Sequence, residues 1–274
     1  MTKVCVITGG GSGIGFAAAR VVAAAGHHVI LCGRTASKLE SAVAALKEAG
    51  GHAEAFSCDV SDREKCFSLA RHAAEVGDVM AVLHIAGMSP HMGDAEKIMA
   101  ANALGTVNIN DAFYDVITEG GCLIDTSSTS AYMIPGIVAP KRAYPLATTD
   151  RETFMKKMLA RVHMFPEDAQ AGLAYGISKH FVIWYAKQDA FRFAKKGARV
   201  LSVTPGNFET PLGSMEKDEA STYLKFAAFP RNGRPEEIGP LHAALIDPRL
   251  GYLTGTDILC DGGCIAGGAS AFKR

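Results

Sequence analysis

The stretch Lys3-Val-Cys-Val-Ile-Thr-Gly-Gly-Gly-Ser-Gly-Ile-Gly15 decides the fold of this chain. Its first six residues are mostly apolar and rich in β-branched side chains, which is typical of a strand buried on both faces. The Ala-rich segment 16–25 then predicts a helix that ends at Gly26, and residues 29–32 predict a second strand. A glycine-rich turn between a strand and a helix, within a βαβ unit of about thirty residues, favours a dinucleotide-binding fold.

Three glycines of this turn have separate roles in such a fold. Gly9 allows the tight turn, Gly13 lets the backbone approach a pyrophosphate, and Gly15 lets the helix pack closely. The N-terminus of the helix supplies amide donors to the anion. The sequence therefore predicts a nucleotide cofactor at the first turn.

The end of the second strand distinguishes between the two nicotinamide cofactors. An acidic residue there would bind the ribose 2′-hydroxyl of NAD, whereas an arginine accommodates the 2′-phosphate of NADP. This chain has Gly33-Arg34 and no acidic residue before Glu40. NADP (NADPH) is favoured over NAD, and the alternative is a solvated loop arginine.

Helices and strands continue to alternate along the rest of the chain. We predict helices over 37–49, 62–76, 95–119, 150–163 and 235–246, a mobile helical segment over 214–228, and strands over 52–58, 80–85, 121–126, 199–204 and 257–260. This alternation predicts an α/β fold, a single Rossmann-type doubly wound parallel sheet with helices on both faces. We expect residues 1–274 to form one domain, because no linker or repeat indicates a second.

Composition excludes several classes of protein. The formal net charge is zero, with no block of like charge, so we expect neither a nucleic-acid nor a membrane partner. The chain enters its first strand at once, so we expect no leader peptide. Seven cysteines without a secreted disulfide pattern favour a reducing, cytoplasmic location, and the Cys260/Cys264 spacing favours a structural over a metal-binding role.

Residues 133–172 interrupt the alternation. Three prolines give an irregular start, and residues 150–163 then predict an amphipathic helix with Phe154, Met158 and Val162 on one face. Such a long insert is unusual without a function. We expect a lid over the site or an interface element.

Tyr175 and Lys179 follow the insert, four residues apart. On a helix they lie on one face, one turn from each other, which suits an acid/base tyrosine beside a fixed cation. Such a pair also occurs on ordinary helix surfaces, so its meaning depends on the glycine turn.

The motifs together resemble those of the short-chain dehydrogenase/reductase family over essentially the whole chain. They are Thr8-Gly9-x-x-x-Gly13-x-Gly15, Asp59-Val60, Ala86-Gly87, Asn102, Ser128, Tyr175-x-x-x-Lys179, Pro205-Gly206 with Thr210, and Asp261-Gly262-Gly263. A short segment before Asn102 and a long insert before the tyrosine are most similar to the 3α-hydroxysteroid dehydrogenase/carbonyl reductase subgroup. The resemblance implies interconversion of a carbonyl and a secondary alcohol.

The resemblance also implies residue roles. Tyr175 would be the general acid/base, and Lys179 would support it and hold the nicotinamide ribose. Ser128 would hydrogen-bond the substrate oxygen, and Asn102 would position a water in the proton relay. The implied cofactor-binding residues are Gly9, Ser12, Gly13, Ile14, Gly15, Gly33, Arg34, Asp59, Val60, Ala86, Gly87, Tyr175, Lys179, Pro205, Gly206, Phe208 and Thr210.

Three departures from the family pattern are visible. Ile85 stands where the family usually has asparagine, which we expect to alter a structural contact. Only fifteen positions separate Gly87 from Asn102, and 47 positions separate Ser128 from Tyr175 because of the insert. The acidic cofactor residue of the closest subgroup is absent, so the cofactor preference of that subgroup does not transfer.

The substrate has several candidates. Aromatic and methionine side chains favour a bulky apolar, steroid-like or aromatic ketone as the substrate. These side chains are Phe154, Met155, Met158, Met164 and Phe165 in the insert, and Met88, Met92 and Phe208 near the cleft. For the side chains in the insert, core packing of the insert is an equally good explanation. Alternatives are 3-oxoacyl thioesters, polar ketones, or a non-catalytic NADP-binding sensor. His84 is expected to be a packed strand-end residue, and His91 a loop residue.

Oligomerisation is implied by the resemblance. The family usually pairs subunits through exposed helices, and the insert could block the helix of Tyr175. We expect a homodimer or homotetramer, with a dimer contact around residues 235–246 and 257–260.

Overall fold

The computed structural model describes residues 2–215 and 222–270. Seven strands form one parallel sheet in the order β3-β2-β1-β4-β5-β6-β7. They are Lys3–Thr8 (β1), His28–Gly33 (β2), His52–Ser57 (β3), Asp78–His84 (β4), Ile117–Thr126 (β5), Arg199–Pro205 (β6) and Asp257–Cys260 (β7). The strand order reverses between β1 and β4, so a crevice opens at their carboxyl ends.

Helices cover both faces of the sheet, which confirms the predicted fold class. They are Gly13–Ala24 (α1), Ala36–Glu48 (α2), Arg63–Val76 (α3), Ala95–Met99 (α4), Gly105–Tyr114 (α5), Ser130–Met133 (α6), Arg151–Val162 (α7), Glu167–Phe193 (α8), Pro211–Met215 (α9) and Pro235–Leu245 (α10). Alternate residues of β1 enter the two cores: Val4 and Val6 pack with α3 and α5, and Cys5 and Ile7 pack with α1 and α2. Within the described ranges, no helix is long and apolar enough to cross a membrane.

The predicted helix over 95–119 is wrong in extent. The structure has α4, a π-helical turn over Ala100–Leu104, and α5, which ends at Tyr114. The next strand begins at Ile117 rather than at residue 121, because the buried Ile117 side chain packs in the core and Ile117 pairs with Val79 before the strand bulges outward. Gly120 adopts the positive φ of 79° that this bulge requires.

The insert also ends earlier than the sequence suggests. Helix α8 begins at Glu167, so residues 167–172 are its first turns and not part of an irregular segment. Pro166 precedes this helix, and Glu167 and Asp168 place negative charge in its first turn. The predicted segment 214–228 falls partly on residues 216–221, which lie outside the described residues.

The insert forms a third layer outside α4 and α8. Phe154, Met158 and Val162 of α7 are fully buried, as the amphipathic pattern predicts. They share a core cluster with Ile98 of α4 and Phe181 of α8. The insert therefore covers the outer face of the helix that carries Tyr175.

Candidate active site

A cleft of about 720 Å³ lies at the carboxyl ends of the central strands. It contains every predicted site residue except Asn102. It runs from the glycine turn, past Asp59, to Ser128 and Tyr175. This volume is within the usual range for a small-molecule or cofactor site.

The glycine turn has the geometry that close approach of a ligand requires. Gly9 and Gly13 have φ values of 70° and 55°, which favour glycine. A Cβ at Gly15 would lie 2.3 Å from the carbonyl oxygen of Gly9, so only glycine lets α1 pack here. Ser12 precedes α1 without capping it through its side chain. The turn and the helix N-terminus therefore form an anion cradle that fits the pyrophosphate of a dinucleotide.

The end of the cleft beside β2 and β3 carries one acid and one arginine; we call it the adenine end, because the family resemblance implies that Asp59 and Val60 flank the adenine. Arg34 Nη1 lies 4.0 Å from Asp59 Oδ2, and both side chains are partly exposed. Burial raises the pKa of Asp59, but hydrogen bonds from the Ser61 side chain and backbone outweigh burial and lower the pKa overall. Asp59 is therefore ionised at neutral pH and holds its turn in a fixed shape. Lys38 also lines this end.

The insert is tied to this adenine end by a contact that the sequence did not predict. Arg151 Nη1 donates to Asn108 Oδ1 (2.9 Å), and Asn108 Nδ2 donates to the carbonyl oxygens of Val60 (3.0 Å) and Ser61 (3.2 Å). Arg151 Nη2 also donates to Asp111 (2.6 Å). The first turn of α7 thus fixes the loop that follows β3. No local pattern marks this contact, since Asn108 and Arg151 are 43 residues apart.

Tyr175 and Lys179 face the cleft from α8. Lys179 Nζ lies 5.9 Å from the centroid of the Tyr175 ring. It also donates to the carbonyl oxygen of Thr126 at the end of β5 (2.8 Å). Lys179 is only 5% exposed, so this carbonyl stabilises an ammonium that burial would otherwise disfavour. The cation is held in place beside the phenol.

The serines after β5 hold the second wall of the site. The Ser127 hydroxyl donates to the carbonyl oxygen of Lys179 (2.8 Å), which joins α8 to the sheet. Ser128 lines the cleft, and its hydroxyl accepts from the Ser130 backbone N–H (3.3 Å). Ser128 and Tyr175 therefore line the same cleft, and the Ser130 N–H helps to hold the Ser128 hydroxyl in position.

Asn102 lies behind the cleft wall, in the π-helical turn, where such irregularities are often functional. Its Oδ1 accepts from the N–H of Met88 (2.8 Å), and its Nδ2 donates to the carbonyl oxygen of Met88 (3.0 Å) and to Ser178 (3.2 Å). Its own carbonyl oxygen accepts from the Thr106 hydroxyl (2.8 Å). The side chain thus holds the loop after β4 against α8. A role in a proton relay stays a prediction.

Thr8 fixes the end of β4, where the family asparagine is replaced by Ile85. Its hydroxyl oxygen accepts from the N–H groups of Ile85 and Ala86 (both 3.1 Å), so its hydrogen donates to His84 Nδ1 (2.8 Å). Burial lowers the pKa of His84 to about 3, with a further contribution from Lys179. His84 is therefore neutral and packed at its strand end, as the sequence suggests, whereas His91 is exposed but lies in the short 3-10 helix Pro90–Met92 rather than in an irregular loop.

Apolar side chains form part of the lining of the cleft. They are Met88, Met92, Met133, Phe208, Leu212, Met215, Tyr223, Leu224 and Phe229. Of the described residues, none between 134 and 174 lines the cleft. Phe154 and Met158 lie instead in the core of the insert. Of the two explanations that the sequence leaves open for these two residues, the structure supports core packing of the insert, because their amphipathic face packs against α4 and α8.

The seven cysteines are free thiols, and Cys58, Cys260 and Cys264 line the cleft. Burial raises the pKa values of Cys260 and Cys264. Within residues 2–215 and 222–270, no group of three His, Cys, Asp or Glu side chains could hold a metal ion.

Sequence comparisons match the chain along most of its length. A family profile described as short chain dehydrogenase matches residues 3–140, and one described as enoyl-(acyl carrier protein) reductase matches residues 141–264. Short-chain dehydrogenase/reductase bsc3 of Alternaria brassicicola is 30% identical over 271 residues, which cover 97% of each chain. The 3beta-hydroxysteroid dehydrogenase 2 of Eggerthella lenta is 27% identical, covering 95% of this chain and 94% of that protein.

Solved structures share the fold. A short chain dehydrogenase from Burkholderia cenocepacia in complex with NADP superposes with a TM-score of 0.77 at 22% identity, over 96% of this chain and 98% of that one. A short-chain type dehydrogenase/reductase from Mycobacterium ulcerans also gives 0.77, at 24% identity, over 97% and 90%. At these identities the likeness concerns the arrangement of the sheet and helices.

Proposed function

The chain belongs to the short-chain dehydrogenase/reductase family, and on that premise we propose that it is an NADP(H)-dependent oxidoreductase interconverting a carbonyl and a secondary alcohol. One observation carries the proposal: Ser128, Tyr175 and Lys179 line a single cleft that begins at the glycine turn. A sensor that needs only to bind the nucleotide has no use for these three side chains together.

The chemistry divides between the cofactor and the chain. A bound nicotinamide supplies or accepts the hydride. In reduction, Tyr175 gives its phenolic proton to the carbonyl oxygen, and in oxidation it takes that proton back. Ser128 donates a hydrogen bond to the same oxygen and orients it. Lys179, anchored on Thr126, favours the phenolate that is left.

We propose a bulky apolar, steroid-like or aromatic ketone as the substrate. The support is the set of methionine, leucine and aromatic side chains that line the cleft. A relative that is named as a 3beta-hydroxysteroid dehydrogenase points in the same direction. Polar ketones would leave this apolar wall against water and so gain less from binding.

The direct test measures consumption of NADPH and of NADH with bulky ketones, quinones, 3-oxoacyl thioesters and polar ketones. We expect NADPH-dependent turnover of the bulky ketones. Faster turnover of thioesters or polar ketones would contradict the substrate class. Tight NADPH binding without turnover of any member would contradict the enzyme proposal and favour a sensor.

The cofactor preference gives a prediction for Arg34. Arg34→Ala should raise the KM for NADPH about tenfold or more, because a charge-assisted bond to the 2′-phosphate is lost. The KM for NADH should stay within about twofold, since NADH has no such phosphate. Steady-state kinetics with both cofactors measure this. Arg20→Ala, which removes an exposed cation of α1, is the control; equal losses with both cofactors would contradict a role for Arg34 in phosphate recognition.

We propose a homodimer formed through β7 and α10. β7 is the edge of the sheet, and Leu259 and Tyr252 beside it are exposed, Tyr252 fully. An unpaired strand edge with exposed apolar residues pairs readily with a second copy. The insert covers α8 and so removes the helix surface that a tetramer of this family would use.

Leu259→Glu should therefore convert a dimer into a monomer, because a carboxylate would be buried in the contact. Sedimentation at micromolar concentration measures the change. Ile137→Glu, on the exposed surface of the insert (83% exposed), should leave the dimer intact. Dissociation by Ile137→Glu alone would place the interface on the insert.

We further propose that residues 1–274 act as one domain, with the insert as a packing layer and not a lid. Its absence from the cleft lining supports this. The seven free thiols support a cytoplasmic location, where thiols stay reduced.

A further inference from the structure

The insert contains a second concavity, of about 410 Å³, that is distinct from the cleft. Insert residues line it throughout: Gly136, Ala139, Pro140, Lys141, Arg142, Ala143, Lys157 and Arg161. Four of these eight residues are cationic, and none is acidic. Positive charge is therefore concentrated here in a chain whose formal net charge is zero.

Among the described residues these four cations have no acidic side chain within salt-bridge distance, although Lys157 is near enough to Asp150 to lower the pKa of that carboxyl. Within residues 2–215 and 222–270, none of them forms an ion pair, and the Arg161 guanidinium contacts only the Met164 sulfur (3.8 Å). Arg151, on the same helix, is paired with Asp111 at 2.6 Å. The insert thus pairs Arg151 with an acidic side chain of α5 and leaves the cations of the concavity outside any close ion pair.

The cations are held toward one another by the fold. Lys157 and Arg161 are four residues apart on α7 and so share one face. Lys141 Nζ lies 3.6 Å from the position of a Cβ at Gly136, so this side chain folds back over its own loop. The loop is braced by tight turns, with Lys141 N–H donating to Ala139 (2.8 Å) and Ala143 N–H to Pro140 (2.8 Å). Like charges that are held close repel each other, so a bound anion would stabilise this arrangement.

We propose that this concavity binds the pyrophosphate or another multiply phosphorylated group of a small molecule. Two guanidinium groups can form bidentate bonds to phosphate oxygens, and two ammonium groups add point charges. Four cations are sufficient to neutralise a bound pyrophosphate group. The walls are concave and a few hundred cubic ångströms in extent, which suits a small molecule rather than the broad, flat surface of a protein.

The position of the concavity connects it to the cleft. Met133 lines the cleft, and Gly136, three residues later, lines the concavity. Three residues span at most about 10 Å. The phosphate can therefore belong to a free effector or to the distal end of a carbonyl substrate, and the same chemistry recognises both.

Calorimetry with inorganic pyrophosphate at about 0.15 M salt tests the site. We expect saturable binding to the wild type, and at least about tenfold weaker binding for each cation removed in Lys157→Glu/Arg161→Glu. Lys156→Glu, an exposed residue of the same helix that does not line the concavity, should bind as the wild type does. Equal binding by the double variant and the wild type would overturn the proposal, as would no binding by any form.

A second variant and a second probe make the test independent of folding and of the main cleft. Lys157→Gln/Arg161→Gln removes charge without reversing it and should weaken pyrophosphate binding in the same direction, with an unchanged thermal midpoint. Because the glycine turn is intact in these variants, a loss of pyrophosphate binding locates the site in the insert. Competition by coenzyme A, which carries a pyrophosphate on a thiol-bearing chain, would assign the site to a substrate tail and would favour the 3-oxoacyl thioester alternative over the apolar ketone. Binding of pyrophosphate without competition by coenzyme A would assign it to a free effector.

Discussion

Replacement of Tyr175 by phenylalanine is expected to lower kcat by at least about 10²–10⁴-fold, the usual contribution of positioned acid/base catalysis. The variant removes one hydroxyl and leaves the ring. Tyr175 is 9% exposed and belongs to the core formed by α4, α7 and α8, together with Ile177 and Phe181. NADPH binding and the thermal midpoint should change little. Stopped-flow reduction of a responsive ketone measures the step, and fluorescence titration measures the cofactor.

Tyr132 offers a matched control for this prediction. It is also a tyrosine near the end of β5, but it is 44% exposed, and its hydroxyl donates to Asp257 (2.7 Å) at the β7 edge. Tyr132→Phe should retain turnover within about twofold, since this residue does not line the cleft. Near-wild-type turnover by Tyr175→Phe, or equal losses in both variants, would remove the assigned role.

The positions of the site residues that directly follow the parallel strands could be predicted from the sequence. Parallel strands place their carboxyl ends at one edge of the sheet, so residues that follow β1, β3, β4, β5 and β6 meet there without any knowledge of side-chain contacts. This is why Gly13, Asp59, Gly87 and Ser128, far apart in sequence, line one cleft. The edge strand β7 was also placed correctly, at residues 257–260.

Contacts that run between elements were not predictable in the same way. The partner of Lys179 is the backbone oxygen of Thr126, and backbone oxygens carry no sequence signal. The side-chain amide of Asn102 accepts from the backbone N–H of Met88 and donates to the backbone carbonyl oxygen of the same residue. These two bonds form only because the π-helical turn brings the two segments together. Motif spacing identified Asn102 as important and left its contacts undetermined.

The insert shows that a correct pattern can leave two explanations open. The apolar stripe of α7 was identified correctly, but a stripe does not state which surface it covers. Phe154 and Met158 face Phe181 of α8 and not the cleft, because the outer face of α8 would otherwise be exposed. Burial of that face accounts for the stripe fully, so the apolar character of the substrate rests on other side chains, such as Met88 and Met133.

Arg151 shows a second consequence of the insert. It joins the insert to Asn108, and through Asn108 to the loop after Val60 at the adenine end. Its partner Asp111 also accepts from Arg63 (3.0 Å) and Arg192 (2.7 Å). The carboxylate of Asp111 thus joins α3, α7 and α8 through their arginines. Through these contacts the insert stabilises the adenine end of the cleft without lining it.

Replacement of Gly15 by alanine tests the glycine turn, because two physical effects there predict opposite signs. Helix propensity alone favours alanine over glycine by about 1 kcal/mol, so an unconstrained site in α1 would be stabilised. The structure places the added Cβ 2.3 Å from the Gly9 oxygen and 2.8 Å from the Gly9 carbonyl carbon. Both are backbone atoms of the turn, so no side-chain rotation relieves the clash.

We therefore expect Gly15→Ala to be destabilised by about 1–3 kcal/mol, as in overpacked cores, with the thermal midpoint lowered by roughly 2–4 °C for each kcal/mol. Displacement of α1 should also lower kcat/KM by about a hundredfold, since the amide donors leave their positions by about an ångström. Gly11→Ala is the control for stability. Its Cβ would lie 3.4 Å from side-chain carbons of Leu39 and Lys38 and 3.5 Å from the Lys38 carbonyl carbon, all ordinary contact distances, so its midpoint should stay within about 2 °C of the wild type. A raised midpoint for Gly15→Ala would mean that propensity outweighs the contact and that α1 does not pack against Gly9 in solution.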